Sequence, residues 1–204
     1  MTALTVAARG PTDLNLRAVA AGRALATCLA LGLAVALRWQ IFRTAALDGI
    51  AEGLLFGLLL LAVARLGGLE ASVPSVGALA GGLVAGGVLV AVSAMARWPF
   101  PPLVLGHAAP FAPWVAATIL VATTEELVLR GVLWRWLAAA SDDLVALLLT
   151  SALFALIHVP IYGWHVVPLD FGVGLWFGGL RLWFGGPAAP AAAHVLADLA
   201  TWWL

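Results

Sequence analysis

Apolar positions in this chain come in long, nearly unbroken runs, separated by short clusters of Pro, Gly, Arg and Asp. Period-two alternation is absent, and the runs are too long for barrel strands, so sheet is not expected. Seven runs can be drawn, at about 18–37, 46–66, 73–96, 111–138, 143–161, 168–184 and 189–204. Most approach the ~20 residues that cross ~30 Å of hydrocarbon; the last two are short. The pattern predicts an all-α fold, a polytopic transmembrane helix bundle of about seven spans.

Breakers support these limits. RWPFPPL (97–103) and HAAPFAP (107–113) hold too many prolines for one straight helix. Ser141, Asp142 and Asp143 form a capping cluster for the fifth span, and GGPAAPAAA (185–193) separates the last two. Gly53 and Gly57, Gly82 and Gly86, and Gly174 and Gly178 are GxxxG pairs, the small-residue spacing that lets helices approach in lipid. Trp39, Trp98, Trp114, Trp134 and Trp136 fall near span ends, where an interfacial aromatic belt belongs. Residues 1–17 are expected to be a short, poorly ordered tail, and 18–204 a single helix-bundle domain.

Composition narrows the class. The 204 residues are 64% hydrophobic and 10% charged, with a mean hydropathy of +1.08. Too little polar surface remains for a water-soluble globule. The expected environment is a lipid bilayer, with a prokaryotic plasma membrane suggested by the Arg-only, Ala/Gly/Trp-rich composition. Arg9, Arg17, Arg65, Arg135 and Arg181 against Arg38, Arg43 and Arg97 favour a cytoplasmic N-terminus, weakly. Net charge is zero and there is no basic patch, so a nucleic-acid partner is not expected. Cys28 lacks a nearby His or cation in sequence and reads as helix packing.

Against this background the sequence TTEELVLRG is conspicuous. Ionised groups inside a spanning helix are costly and usually face the bundle interior. Glu126 and Arg130 are spaced i,i+4 with the acid first, the favourable order for a pair. Glu125 points about 100° away from Glu126 and is left free of that pair. Two more polar elements follow on later spans. FALIHVP places Phe154 and His158 on one face, and HVLADLA does the same for His194 and Asp198. Each alone has an ordinary reading, as a structural ion network, a packing histidine or a structural polar pair. Together, a Glu, two His and an acid on three helices make a general-base and electrostatic-stabilisation set. His107 and His165 are expected at the surface.

These elements, in order EExxxR, FxxxH and HxxxD, resemble the signature of the CAAX-protease and bacteriocin-processing family of intramembrane proteases. The resemblance covers about 111–204, which would be the protease core; the first three spans carry no recognised motif. It implies an intramembrane endopeptidase acting on a membrane-associated protein or peptide substrate. By the family pattern Glu125 and His158 activate the water, and His194 with position 198 stabilises the oxyanion. Glu126, Arg130 and Phe154 support them. Asp198 stands where Asn is commoner, and an ionised Asp cannot donate to an oxyanion. Asp198 would therefore be protonated or orient His194 as a donor. The resemblance also raises zinc, with Glu125, His158 and His194 as its three ligands. HExxH is absent, and a glutamate-dependent mechanism with no cofactor is the favoured reading.

Two other functions compete. A proton-coupled transporter or channel could use Glu125, His158 and His194 as a relay, although no internal repeat supports one. A catalytically silent immunity or scaffold protein could retain the motifs for packing.

Overall fold

The computed structural model describes residues 11–70, 73–97 and 109–203. Trp98, His107, Arg9 and the first ten residues of the expected tail lie outside the described residues. Seven helical rods match the seven expected spans, and no strand occurs among the described residues. They are α1 (Pro11–Thr44), α2 (Gly49–Leu66), α3 (Val76–Arg97), a compound rod, α6 (Asp143–Tyr162), α7 (Val167–Phe184) and α8 (Ala188–Ala200). The compound rod is α4 (Phe111–Glu126), a π-helical stretch (Leu127–Leu133) and α5 (Trp134–Ala140) in direct succession.

Five of these rods are long and apolar enough to cross a membrane: α1, α2, α3, the compound rod and α6. The protein is integral to the membrane. Leu25, Leu29 and Leu33 on α1 point outward, as lipid contact requires. At ~1.5 Å per residue, α8 is only about 20 Å long, so it lies within the bundle rather than bridging the bilayer.

Helix limits follow local chemistry. The first helix starts at Pro11, so residues 11–17 are helical rather than tail. A proline suits a first helical position, and Asp13 complements the N-terminal dipole. Asp142 caps α6 by accepting from the Val145 N–H at 2.8 Å, as the acidic cluster suggested. Asp143 does something else: Trp134 Nε1 donates to its Oδ1 at 2.9 Å. Trp134 is buried in the core and does not belong to an interfacial belt. The indole N–H found its partner inside the protein, which removes the reason to seek headgroups. Gly185, at φ +73°, ends α7 in the left-handed region that a side chain would strain.

All three GxxxG pairs are helix contacts. Gly53 and Gly57 meet Ala117 and Leu120 of α4. Gly82 and Gly86 lie against the α8 backbone at Ala189 and Ala193, where an added Cβ would come 2.3 and 2.7 Å from a carbonyl oxygen. Gly174 lies on the Ser151 backbone of α6, and Gly178 on Leu147. These contacts press α3, α6, α7 and α8 around one interior.

Gly86→Val should therefore force α3 off α8 and destabilise the fold by about 1–3 kcal/mol. Its thermal unfolding midpoint in detergent is expected to fall. Gly87→Ala, where an added Cβ meets nothing within 4 Å, should not lower the midpoint.

Candidate active site

The site is built on the last turn of α4. Glu125 and Glu126 are consecutive and both buried, so their side chains leave the helix in different directions. Glu126 turns into the protein. Arg130 Nη1 donates to its Oε1 at 2.9 Å, and both side chains are completely shielded from solvent. The expected ion pair is present, and it persists although Leu127–Leu133 is wound as a π-helix. Such turns leave main-chain carbonyls free for other donors. Here the Arg130 carbonyl accepts from Arg181 Nε at 2.9 Å.

Arg130 is held on several sides. Its Nη2 donates to the Gly174 carbonyl at 2.9 Å. Its guanidinium carbon lies 4.9 Å from the Phe154 ring centroid and 5.7 Å from that of Phe177. Gly174 reaches Arg130 because it has no side chain to hold α7 away from α6. The packing motif and the charge network thus meet at one residue.

The histidines arrive from other helices. His158 on α6 and His194 on α8 each place Nε2 4.0 Å from the same oxygen, Oε2 of Glu125. On its far side, His158 Nδ1 lies 2.7 Å from the Phe154 carbonyl, which can only accept; in the neutral ring Nδ1 then carries the proton and Nε2 is bare toward Glu125. His194 is flanked by carboxylates: Nδ1 is 3.2 Å from Glu126 Oε1, and Nε2 is 3.4 Å from Asp198 Oδ2. The acid behind His194 is therefore Glu126. Asp198 sits on the Nε2 side with Glu125, so any hold it has on His194 is exerted from the cavity side rather than from behind the ring. Sequence separation hid this, because Glu126 and His194 lie on α4 and α8.

Phe154 packs edge-on to both imidazoles, with ring centroids 4.8 Å from His158 and 5.4 Å from His194. Phe177 stacks on His194 at 5.0 Å. Phe154, His158, His194, Glu125 and Asp198 line one cavity of about 1040 Å³. Asp170, Tyr162 and Arg38 line the same space.

Several of these residues escaped the sequence reading. Asp170 opens α7 and lies 3.6 Å from His158 Nδ1. Its position in the first turn of a helix also complements the helix dipole, so its residue type alone does not mark it as part of a site. Arg38 falls inside α1, not in a connecting loop, and its Nε donates to buried Glu52 at 2.9 Å. Glu52, an acid within an apolar span, was the available signal for that pair. His165 is exposed, as expected.

The donor set was compared with a tetrahedral zinc centre. Ligands ~2.0–2.2 Å from zinc but 4.0 Å apart subtend about 135° or more, against ~109° for a tetrahedron. Glu125, His158 and His194 as placed do not fit that geometry. Among the described residues, no group of three or more His, Cys, Asp or Glu is arranged to hold a metal ion.

Residues 107–200 match the family described as Type II CAAX prenyl endopeptidase Rce1-like. This region is similar to that family. The match includes every residue of the Glu/His cluster and supports a CAAX-protease-like membrane enzyme. No curated protein and no solved structure matches the chain. The matched region is completed by the preceding helices, since Arg38, Gly53, Leu89 and Ser93 close the cavity wall from α1, α2 and α3.

Removing one partner of a buried ion pair costs about 3–5 kcal/mol. Arg130→Ala should accordingly lower both the monodisperse yield and the thermal midpoint of the detergent-purified protein. Normal yield and an unchanged midpoint would refute the structural role of the pair.

Proposed function

We propose that the protein is an intramembrane endopeptidase that hydrolyses a peptide bond of a membrane-associated protein or peptide, with no metal, through water activated by Glu125 and His158. The observation that carries this reading is the placement of Glu125 Oε2 4.0 Å from both His158 Nε2 and His194 Nε2. One water about 2.8 Å from two such atoms bridges that gap. It would donate one hydrogen to Glu125 and the other to the bare Nε2 of His158, leaving an oxygen lone pair for the scissile carbonyl carbon.

In the addition step the water oxygen bonds to that carbon and its proton passes to the Glu125 carboxylate. The carbonyl becomes an oxyanion. His194 would meet it as a donor from Nε2, while its Nδ1–H stays on Glu126. Both ring nitrogens must then carry hydrogen, a state matched by the carboxylates on each side. Collapse breaks the carbon–nitrogen bond, and Glu125 returns its proton to the departing amine. A cavity of about 1040 Å³ among apolar spans supports a membrane-associated peptide as the substrate class.

Cleavage of a co-expressed, membrane-bound substrate tests this. Glu125→Gln should lose activity by a factor on the order of 10²–10⁴, the usual worth of a general base. Wild-type enzyme in detergent should keep its activity in a strong chelator. Chelator-induced loss that zinc restores, with stoichiometric zinc in the untreated protein, would overturn the metal-free mechanism. Proton flux in liposomes without any cleavage would instead support a relay. Asp198→Asn should retain partial activity, measured as kcat on the same substrate, because an amide can also donate to the oxyanion.

A further inference from the structure

His158 has a second acid that the family signature does not contain. Its Nε2 faces Glu125, while its Nδ1 faces both the Phe154 carbonyl at 2.7 Å and Asp170 Oδ2 at 3.6 Å. Phe154 belongs to the same helix as His158, four residues earlier, so its carbonyl fixes the ring relative to α6. Asp170 comes from α7 and brings a carboxylate toward the same nitrogen. At 3.6 Å it is beyond a good hydrogen bond and acts through its field.

The surroundings make this field count. The other titratable or charged groups around His158 are Glu125 on α4, Tyr162 on its own helix and His194 and Asp198 on α8. Arg38 on α1 and Asp48, which precedes α2, complete the charged lining. Tyr162 stacks loosely on His158, with centroids 6.0 Å apart. Of these, Asp170 is the acid set against Nδ1. Its side chain is 20% exposed, at the cavity wall, so solvent screens it only in part.

Resting on the proteolytic reading above, the geometry points to Asp170 as a positioning residue. With the Phe154 carbonyl it keeps the proton on His158 Nδ1, and it balances the positive charge that His158 acquires as it shares the proton of the attacking water. No bond to Asp170 forms or breaks. The water's proton still ends on Glu125, and His158 returns to its neutral Nδ1–H form. The arrangement parallels a catalytic acid that holds a histidine in one tautomer without being protonated itself. An acid serving only the α7 dipole would not need to face an imidazole nitrogen across the cavity wall.

The test compares Asp170→Asn with Asp170→Glu on the same membrane-bound substrate. Asp170→Asn should lower kcat by about tenfold or more while KM stays within about twofold, the pattern of an interaction made in the transition state. The acid limb of its pH–rate profile should move to lower pH, because a negative charge near His158 is gone. Asp170→Glu should restore much of kcat. Unchanged kcat and an unmoved acid limb in Asp170→Asn would overturn the assignment. A measurement on the unsubstituted protein guards against variants that fail to fold: ring nitrogen-15 spectra of the detergent-solubilised protein, with His158 assigned by the signal lost in His158→Asn. They should show the Nδ1–H tautomer, and an Nε2–H tautomer would overturn the assignment. Absence of any cleavage by the wild type would count against proteolysis itself, whereas the kcat and acid limb of Asp170→Asn measured against an active wild type decide the role of Asp170 separately.

Discussion

The buried pair of Glu126 and Arg130 is the constraint on which the rest of this site depends. An arginine wholly inside an apolar bundle is tolerable only if its donors are taken up and its charge is opposed. Nη1 has Glu126, Nη2 has the Gly174 carbonyl, and two aromatic faces flank the guanidinium. The satisfaction is incomplete, for Glu126 Oε2 and Arg130 Nε are buried without a hydrogen-bond partner among the described residues. Losing the Glu126 carboxylate would leave the buried cation without an opposing charge in hydrogen-bond contact. The pair therefore locks α4 to α7, and Glu126 extends the lock to α8 through His194 Nδ1. A single charged couple thus fixes three of the helices that line the cavity.

Close helix approach is what brings the couple within reach. Gly174 has no side chain, so α6 and α7 come together there, and its carbonyl enters the range of Arg130. Gly82 and Gly86 do the same for α3 against α8, which carries His194 and Asp198. In lipid, where apolar burial gives helices little reason to associate, such small-residue contacts and interior polar bonds set the geometry. The first three helices carry no motif of their own, yet they wall the cavity. Their contribution to function lies in shape, together with the Arg38–Glu52 pair that ties α1 to α2.

Much of this was legible in the sequence for a physical reason. Long apolar runs and charged exceptions are first-order signals in a membrane protein, and the interior motifs stood out against Ala, Leu and Val. The Glu126–Arg130 pair could be read because i,i+4 spacing is local. What could not be read was contact across helices. Nothing in HVLADLA says that Glu126, rather than Asp198, stands behind His194. Asp170 carries no local mark that sets it against His158, and Trp134 resembled an interfacial tryptophan, because burial is decided by tertiary packing. The π-helical stretch left only one local hint, Gly131 in the middle of a helix.

The two adjacent glutamates now separate by function along lines that burial dictates. Glu126 spends its hydrogen-bonding oxygen on two partners, Arg130 and His194, and is shut off from solvent. Its charge is committed to structure. Glu125 has two imidazole nitrogens at 4.0 Å and no hydrogen bond at normal length among the described residues, yet it faces the cavity. A carboxylate buried without tight partners is unfavourable unless something enters to bond it. The fold accepts that cost at one residue because the neighbouring acid has secured the frame around it. Consecutive positions on a helix are what allow it: about 100° of rotation sends one acid to the ion pair and the other to the reacting space. An acid moved three or four residues along the helix would fall on the same face as its neighbour and compete for Arg130, so adjacency itself carries the division of labour.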